Sequence, residues 1–347
     1  MMNFLKNFLL IITSVILTVA LVEGACFLIN RYGHQADKFY YRDQGLIIDD
    51  KALGYKPAPS GKFRDEFAYE GDLVYDVHYT IDEYSRRVTP VKDPAGRNKY
   101  ALFFGCSHTF GEGLDDNQTL PYFFGREKKD YTPYNYGFMG YGPQQMLMQL
   151  YLTPVRKEIP ELEGMAFYLY IGHWHVYRAI GEMMVSNGWG DSLPCLKIDD
   201  NNQLVCLGGF KTARPILSRI YEILGHSQFV KAFHVTFPLV LTDRHYELTA
   251  RIIKQAREKY TALFNNDNFY VIISPATHPD DVVSSVAVIP FLKKEGVKYL
   301  DYSTLFYLSQ DGYNLKGDGH PTALANRTIA KRLAADIRKL EQEGLVP

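Results

Sequence analysis

Residues 99–116 read KYALFFGCSHTFGEGLDD, a short apolar and aromatic run that ends on Gly105 and turns onto Ser107. Residues 100–104 have the composition of a strand covered on both faces, and the glycine punctuates it. Ser107 therefore sits on a turn at a strand's C-terminal end. In an open α/β sheet that edge is where loops converge, the next helix presents its N-terminus and ligands bind. A serine placed there is either a nucleophile or, with Thr109, a cap for the following helix. The turn alone does not choose.

Outward from this stretch, strand and helix patterns alternate, which implies a parallel sheet with helices on both faces. The strands are expected at residues 100–104, 133–136, 166–171, 269–274 and 298–302, with helices at 144–157, 245–264 and 322–343. Residues 174–244 are too long for an ordinary connection and read as an insertion with strand-like pieces of its own, at the edge where insertions shape access to a site. Within it, Cys195 and Cys206 flank LKIDDNNQLV. If Asp200 and Asn201 centre the turn, the two cysteines face each other, and an oxidising compartment then permits a disulfide. Two reduced thiols in a hairpin are the alternative.

Upstream, Lys6 precedes an apolar or small-residue run over residues 8–22 that continues through Cys26 to Ile29, broken only by Glu23. This is an export segment. It is either a cleaved signal peptide, with Val22-Glu23-Gly24 as the small-residue site, or an uncleaved anchor approaching the roughly 20 residues that span a bilayer. The extension through Phe27 favours an anchor over residues 1–34 and a single-pass protein of the cell membrane, with its bulk periplasmic or extracellular. A lipoprotein reading of Cys26 fits poorly with Glu23 three residues before it. Residues 35–98, with GYKPAPSGKF and the alternating YDVHYTI, read as a small β-containing lead-in, and residues 99–345 as the main domain. The 347 residues are 46% hydrophobic and 22% charged with a net charge of -1 and no Lys/Arg block, which excludes the electrostatic footprint of a nucleic-acid binder. The 26 Tyr and 21 Phe suit core packing or stacking on sugar rings.

Two further motifs carry chemistry. Asn135-Tyr136-Gly137-Phe138-Met139-Gly140 follows the second strand, and its glycines allow backbone amides to approach a ligand. Gly317-Asp318-Gly319-His320-Pro321 precedes the last helix and puts a carboxylate and an imidazole two residues apart. A nucleophilic serine needs a base, a group that fixes the base's tautomer, and amides that hold the oxyanion.

On these residues the chain resembles the SGNH hydrolases, the GDSL esterase and lipase superfamily, over residues 99–343. Gly105-Cys106-Ser107 with Thr109, Gly111 and Gly113 is similar to the first block, with Cys106 where the family has aspartate. Asn135, Gly137 and Gly140 are similar to the second. Asp318, His320 and Pro321 are similar to the last, with the aspartate two rather than three before the histidine. The family's G-x-N-D block is replaced by YIGHWHVYR, residues 170–178, which has no asparagine. The resemblance implies a three-layer α/β/α sandwich around a central, mostly parallel, flavodoxin-like sheet, here with an N-terminal transmembrane helix as in a membrane-attached subgroup. It implies a serine esterase with Ser107 as nucleophile, His320 as base, Asp318 orienting it, and the amides of Ser107 and Gly140 in the oxyanion hole.

His173 or His175 is expected to replace the missing donor, since alternation along an extended segment puts both on one face, the alternatives being a satisfied structural histidine or a metal ligand. Asn135 and Arg178 are expected at the substrate, Arg178 alternatively pairing with a surface acid. Substrates are expected to be esters or acylated, above all acetylated, carbohydrates, with no cofactor and no metal. An O-acyltransferase on an envelope polysaccharide is the first alternative. A non-catalytic glycan-binding module, suggested by the lost asparagine and the altered aspartate spacing, is the second.

Overall fold

The computed structural model describes residues 2–33, 36–93 and 96–346. Helix α1 (Met2–Tyr32) comes first, and Phe4–Tyr32 is the one described helix long and apolar enough to cross a membrane, 29 residues at a mean hydropathy of 2.3. The boundary expected between anchor and lead-in, at residues 34 and 35, lies outside the described residues. Strands β1 (Lys38–Arg42), β2 (Ile47–Asp50), β3 (Gly54–Pro57), β4 (Gly61–Tyr69) and β5 (Asp72–Ile81) follow, as an antiparallel sheet β1-β4-β5 and a separate β2-β3 pair.

Alternating strands and helices then begin with β6 (Lys99–Phe104), α2 (Ser107–Phe110), α3 (Leu120–Glu127), β7 (Tyr131–Asn135), α4 (Pro143–Leu152) and β8 (Glu163–Tyr170). The stretch read as an insertion holds most of α5 (Gly172–Ile180), α6 (Met183–Gly188), the β9 (Pro194–Ile198) and β10 (Leu204–Gly209) ribbon, α7 (Phe210–Ala213), α8 (Pro215–His226) and α9 (Gln228–Ala232). The chain closes with α10 (Asp243–Phe264), β11 (Phe269–Ile273), α11 (Val282–Val286), α12 (Ile289–Lys294), β12 (Tyr299–Asp301) and α13 (Ala323–Gln342).

The central five-stranded sheet runs β12-β11-β8-β6-β7, every pair parallel. With β6 counted first this is the doubly wound 2-1-3-4-5 order, whose direction reverses between β6 and β8 and leaves a crevice at their C-terminal ends. Alternation along β6 makes the layers. Tyr100, Leu102 and Phe104 face α4, α5 and α10 through Met146, Leu147, Val176, Ile252 and Ile253, while Ala101 and Phe103 face α3 and α13 through Phe124, Ile329 and Leu333. α4 stops at Leu152 because Pro154 cannot continue it, so the helix expected to residue 157 ends in a separate short turn at Val155–Glu158. A third cluster joins the lead-in to the site: Phe67, Val77, Tyr79 and Ile81 pack on Phe110 of α2 and on Phe138 and Met139 of the loop after β7.

The ribbon corrects the cysteine pairing. Cys206 opposes Leu196, one residue away from the register that would bring it to Cys195. Asp199 and Gln203 close a three-residue loop in which the Asp199 carboxylate accepts the N–H groups of Asn201 and Gln203, and Asn202 takes a left-handed φ of 59°. The turn is therefore centred on Asn201, and a slip of one residue moves a side chain to the other face. Cys195 is buried with Met183, Phe210 and Tyr221, Cys206 is exposed, and both are free thiols.

Candidate active site

Ser107 is the first residue of α2, and the cap position belongs to Cys106, which makes no side-chain capping bond. Thr109 is not a cap either, since its hydroxyl donates back to the Phe104 carbonyl. A side chain at Gly105 would collide with it, because a Cβ there would lie 2.2 Å from Thr109 Oγ1. The far end of this single turn is held by Arg87, whose fully buried guanidinium donates to the carbonyls of Phe110, Gly111 and Leu114 and pairs with Asp116 at 3.1 Å. Gly111 then reverses the chain at φ +84°, and the N–H groups of Gly111 and Glu112 both return to the Ser107 carbonyl.

His320 arrives from the loop before α13. Its Nε2 lies 2.8 Å from Ser107 Oγ, and its Nδ1 lies 3.0 Å from both oxygens of Asp318. The two-residue spacing works because Gly317 and Gly319 adopt φ of +71° and +88°, conformations that fold the carboxylate back onto the ring. The Leu315 N–H to His320 carbonyl bond, at 2.8 Å, closes the loop.

A second carboxylate is present that the sequence reading missed. Glu112 Oε2 lies 3.4 Å from His320 Nε2, and Arg42 of β1 holds its other oxygen. Arg42 also pairs with the buried Asp65, which accepts from the Tyr79 hydroxyl. Burial pushes the Asp65 carboxyl up to about 6 in spite of Arg42. For His320, burial favours the neutral ring, but Glu112 and then Asp318 outweigh it and push the pKa up to about 9. The neighbouring His108 ring, edge-on at 5.4 Å, is driven well below its usual pKa by burial and then by His320 and Arg178. The signal for Glu112 was its place in Gly111-Glu112-Gly113, between two left-handed glycines.

As the first residue of α2, Ser107 has no intrahelical acceptor for its N–H, and the Gly140 N–H donates to no turn or loop carbonyl among the described residues. Gly140 has φ +72°, and a Cβ there would meet Tyr55 and Trp189 at 2.3 and 2.5 Å. Asn135 does not reach the cleft. It is buried, donates to the carbonyls of Thr109 and Phe110, and accepts the Gly137 N–H, so it ties the Gly140 loop to the serine's helix.

Neither histidine expected as a donor lines the cleft. Residues 172–180 form α5 rather than an extended segment, and two helical positions two apart point about 160° away from each other. His175 is fully buried, with Nδ1 2.7 Å from the Tyr168 hydroxyl and also accepting the Ile171 N–H. His173 packs with Trp174 and Tyr177.

The cleft over Ser107 has a volume of about 560 Å³ and joins three parts of the chain. Arg42, Ile47, Asp49 and Tyr55 come from the lead-in, Ser107, Glu112, Met139, Gly140 and His320 from the sheet edge, and Arg178, Trp189 and Ser192 from the stretch after β8. Arg178 donates to the Tyr141 carbonyl at 2.8 Å and lies 6.0 Å from the Trp189 ring. Its Nε is buried without a partner, and no carboxylate pairs with it among the described residues. The lead-in contribution was not visible in sequence, because nothing local to Arg42 or Tyr55 announces a site far along the chain. Among the described residues no group of three His, Cys, Asp or Glu side chains could hold a metal ion.

No protein-family model and no curated protein matches the sequence. Among solved structures the chain is similar to a member of the lipolytic protein G-D-S-L family from Veillonella parvula DSM 2008, at 14% identity over 68% of this chain and 97% of that one, with a TM-score of 0.38. It is similar to a family two carbohydrate esterase from Clostridium thermocellum in complex with cellohexaose, at 12% identity over 75% and 68% of the two chains, with a TM-score of 0.40. It is also similar to an acetyl xylan esterase from the rumen bacterium Butyrivibrio proteoclasticus, at 10% identity over 80% and 68%, with a TM-score of 0.40.

Proposed function

We propose that the chain is a serine esterase of the SGNH type, anchored by α1 and acting outside the cytoplasm, where it removes acyl groups, acetyl above all, from a carbohydrate or small ester. The observation that carries this reading is the continuous contact Asp318–His320–Ser107, at 3.0 and 2.8 Å, opening into a cleft. Ser107 Oγ attacks the ester carbonyl and its proton passes to His320 Nε2, while Asp318 holds the Nδ1–H and so fixes the tautomer. The N–H groups of Ser107 and Gly140 are suited to the oxyanion, each such donor contributing about 3 to 4 kcal/mol to the transition state. His320 then protonates the leaving alkoxide. Water, deprotonated by the same ring, releases the acid from the acyl-serine. Trp189 and Tyr55 give the cleft aromatic walls of the kind that stack on sugar rings. Arg178, which pairs with no carboxylate among the described residues, supplies a cation for an anionic group on the substrate.

The test is hydrolysis of p-nitrophenyl acetate and of an O-acetylated oligosaccharide by the wild-type chain and by Ser107→Ala. The expected loss is on the order of 10⁴-fold or more in kcat, with the melting temperature unchanged. Wild-type turnover by Ser107→Ala overturns the reading. Acetyl recovered on an added sugar in preference to water makes the same acyl-enzyme a transferase.

A further inference from the structure

The apolar run of the anchor carries one charged side chain, Glu23, and an amide, Asn30, follows its last residue. Both are used. The Glu23 carboxylate accepts the Ser227 hydroxyl and, at 2.6 Å, the Gln228 N–H, while the Asn30 amide donates to the Gln228 carbonyl and side chain at 3.0 and 3.1 Å. Ser227 is the residue that caps α9, accepting the Val230 N–H. A lone carboxylate in hydrocarbon is costly, so this cap is where the one charge within the apolar run finds its partners. Glu23 lies six residues before Ile29, about 9 Å along the helix axis. That matches the depth of roughly 5–10 Å at which an interfacial amphipathic helix lies below the headgroups.

The segment that reaches this depth is apolar on its outside. α8 packs Leu217, Tyr221 and Leu224 inward, onto the cluster around Met183 and Phe210. Its remaining apolar residues, Ile216, Ile220 and Ile223, form a second stripe that is 78%, 47% and 59% exposed. Beyond it Phe229 of α9 and Phe233 at its C-terminal cap, then Leu239 and Val240, are exposed as well. Residues 207–242 carry Lys211, Arg214, Arg219 and Lys231 against the single acid Glu222; Arg219 pairs with Glu222 and Lys211 with Asp191, which leaves Arg214 and Lys231 without a carboxylate partner among the described residues. An apolar face with a basic margin is the signature of a helix seated at a lipid interface, where anionic headgroups meet the Lys and Arg side chains.

We infer that α8, α9 and residues 239–240 form a collar that sits in the outer leaflet of the bilayer crossed by α1, so that the protein holds its membrane at two places. This rests on the reading of α1 as an anchor. A helix tether alone would leave the domain free to tumble, whereas the collar fixes it. α8 packs on Met183 of α6, and the chain leaving α6 brings Trp189 and Ser192 to the cleft wall, so a seated collar also sets the height of the cleft above the lipid.

The test uses the full chain in phospholipid vesicles containing anionic lipid, with single Ile220→Trp and Phe233→Trp variants and a Leu162→Trp control, Leu162 being 76% exposed before β8 at the opposite edge of the sheet. The fluorescence of Trp174 and Trp189 is subtracted using the wild-type chain. The collar predicts blue-shifted emission for Ile220→Trp and Phe233→Trp that lipids brominated near the headgroup quench, and red, unquenched emission for the control. Unquenched emission from both collar variants in protein that resists carbonate extraction overturns the collar and leaves the anchor standing. Blue-shifted but unquenched emission also overturns it, since a protein surface then covers the face. Release of the chain by carbonate overturns the anchor, and the collar with it.

Discussion

Glu112 Oε2 lies 3.4 Å from His320 Nε2, the ring nitrogen that also meets Ser107 Oγ at 2.8 Å. One nitrogen thus faces both the serine hydroxyl and a second carboxylate. In the neutral ring Nε2 is an acceptor, which suits the Ser107 hydroxyl. Once it carries a proton it is a donor, and Glu112 stabilises the imidazolium. On the proposed mechanism this favours the charge that forms in the transition state, and Glu112 and Asp318 push the His320 pKa up to about 9 against its burial.

The first prediction follows from that balance. kcat/KM for an ester should rise with pH along a limb near 9, the value to which His320 is pushed. Glu112→Gln removes the leading charge that raises it, so the limb should move to lower pH. A limb at the ordinary imidazole position in both proteins contradicts this. The same shift stabilises the fold in full below about pH 6.5 and is lost as pH rises through the folded value, so thermal stability should fall over that window.

Arg178 is predicted to act in binding. Hydrogen bonds to charged groups contribute about 1.5–3 kcal/mol. Arg178→Ala should therefore raise KM for an anionic acylated sugar by about 10- to 100-fold while kcat changes less. Equal effects on an uncharged ester, such as p-nitrophenyl acetate, contradict a role at the anion.

Arg87 is predicted to be the main structural support of the serine's helix. Its guanidinium is fully buried and holds three carbonyls and Asp116. Arg87→Met should cost about 3–5 kcal/mol in urea unfolding, the range for removing one partner of a buried ion pair. A loss below about 1 kcal/mol, as for an exposed pair, contradicts this.

The strand leading to Ser107 was legible in sequence because an apolar run closed by a glycine has few other readings, and the Gly317–Pro321 motif gave His320 with its aspartate. Other parts were hidden for definite reasons. YIGHWHVYR has the aromatic content of a strand, yet Gly172 at φ +38° starts a helix, which sends His173 and His175 away from each other and from the cleft. The cysteine register turned on Asn202 adopting a left-handed conformation, which makes the loop odd in length. Arg42 and Tyr55 reach the site only through the packing of the lead-in on Phe110 and Phe138, a long-range contact with no local signature.

The two corrections give a fourth prediction. His173→Ala should keep kcat within about threefold of wild type, where loss of an oxyanion donor would cost on the order of 10² to 10³. In the folded chain an alkylating reagent should modify the exposed Cys206 and leave the buried Cys195 until the protein is unfolded. A mass-spectrometric digest showing a 195–206 crosslink contradicts the register.

The most direct measurement is the intact mass of the folded chain after exposure to a serine-directed fluorophosphonate, with peptide mapping of the adduct. The account predicts one adduct, on Ser107, absent from Ser107→Ala and formed more slowly in Asp318→Asn. No adduct on the folded wild-type chain, or one that persists in Ser107→Ala, contradicts the assignment of Ser107 as a nucleophile activated by His320.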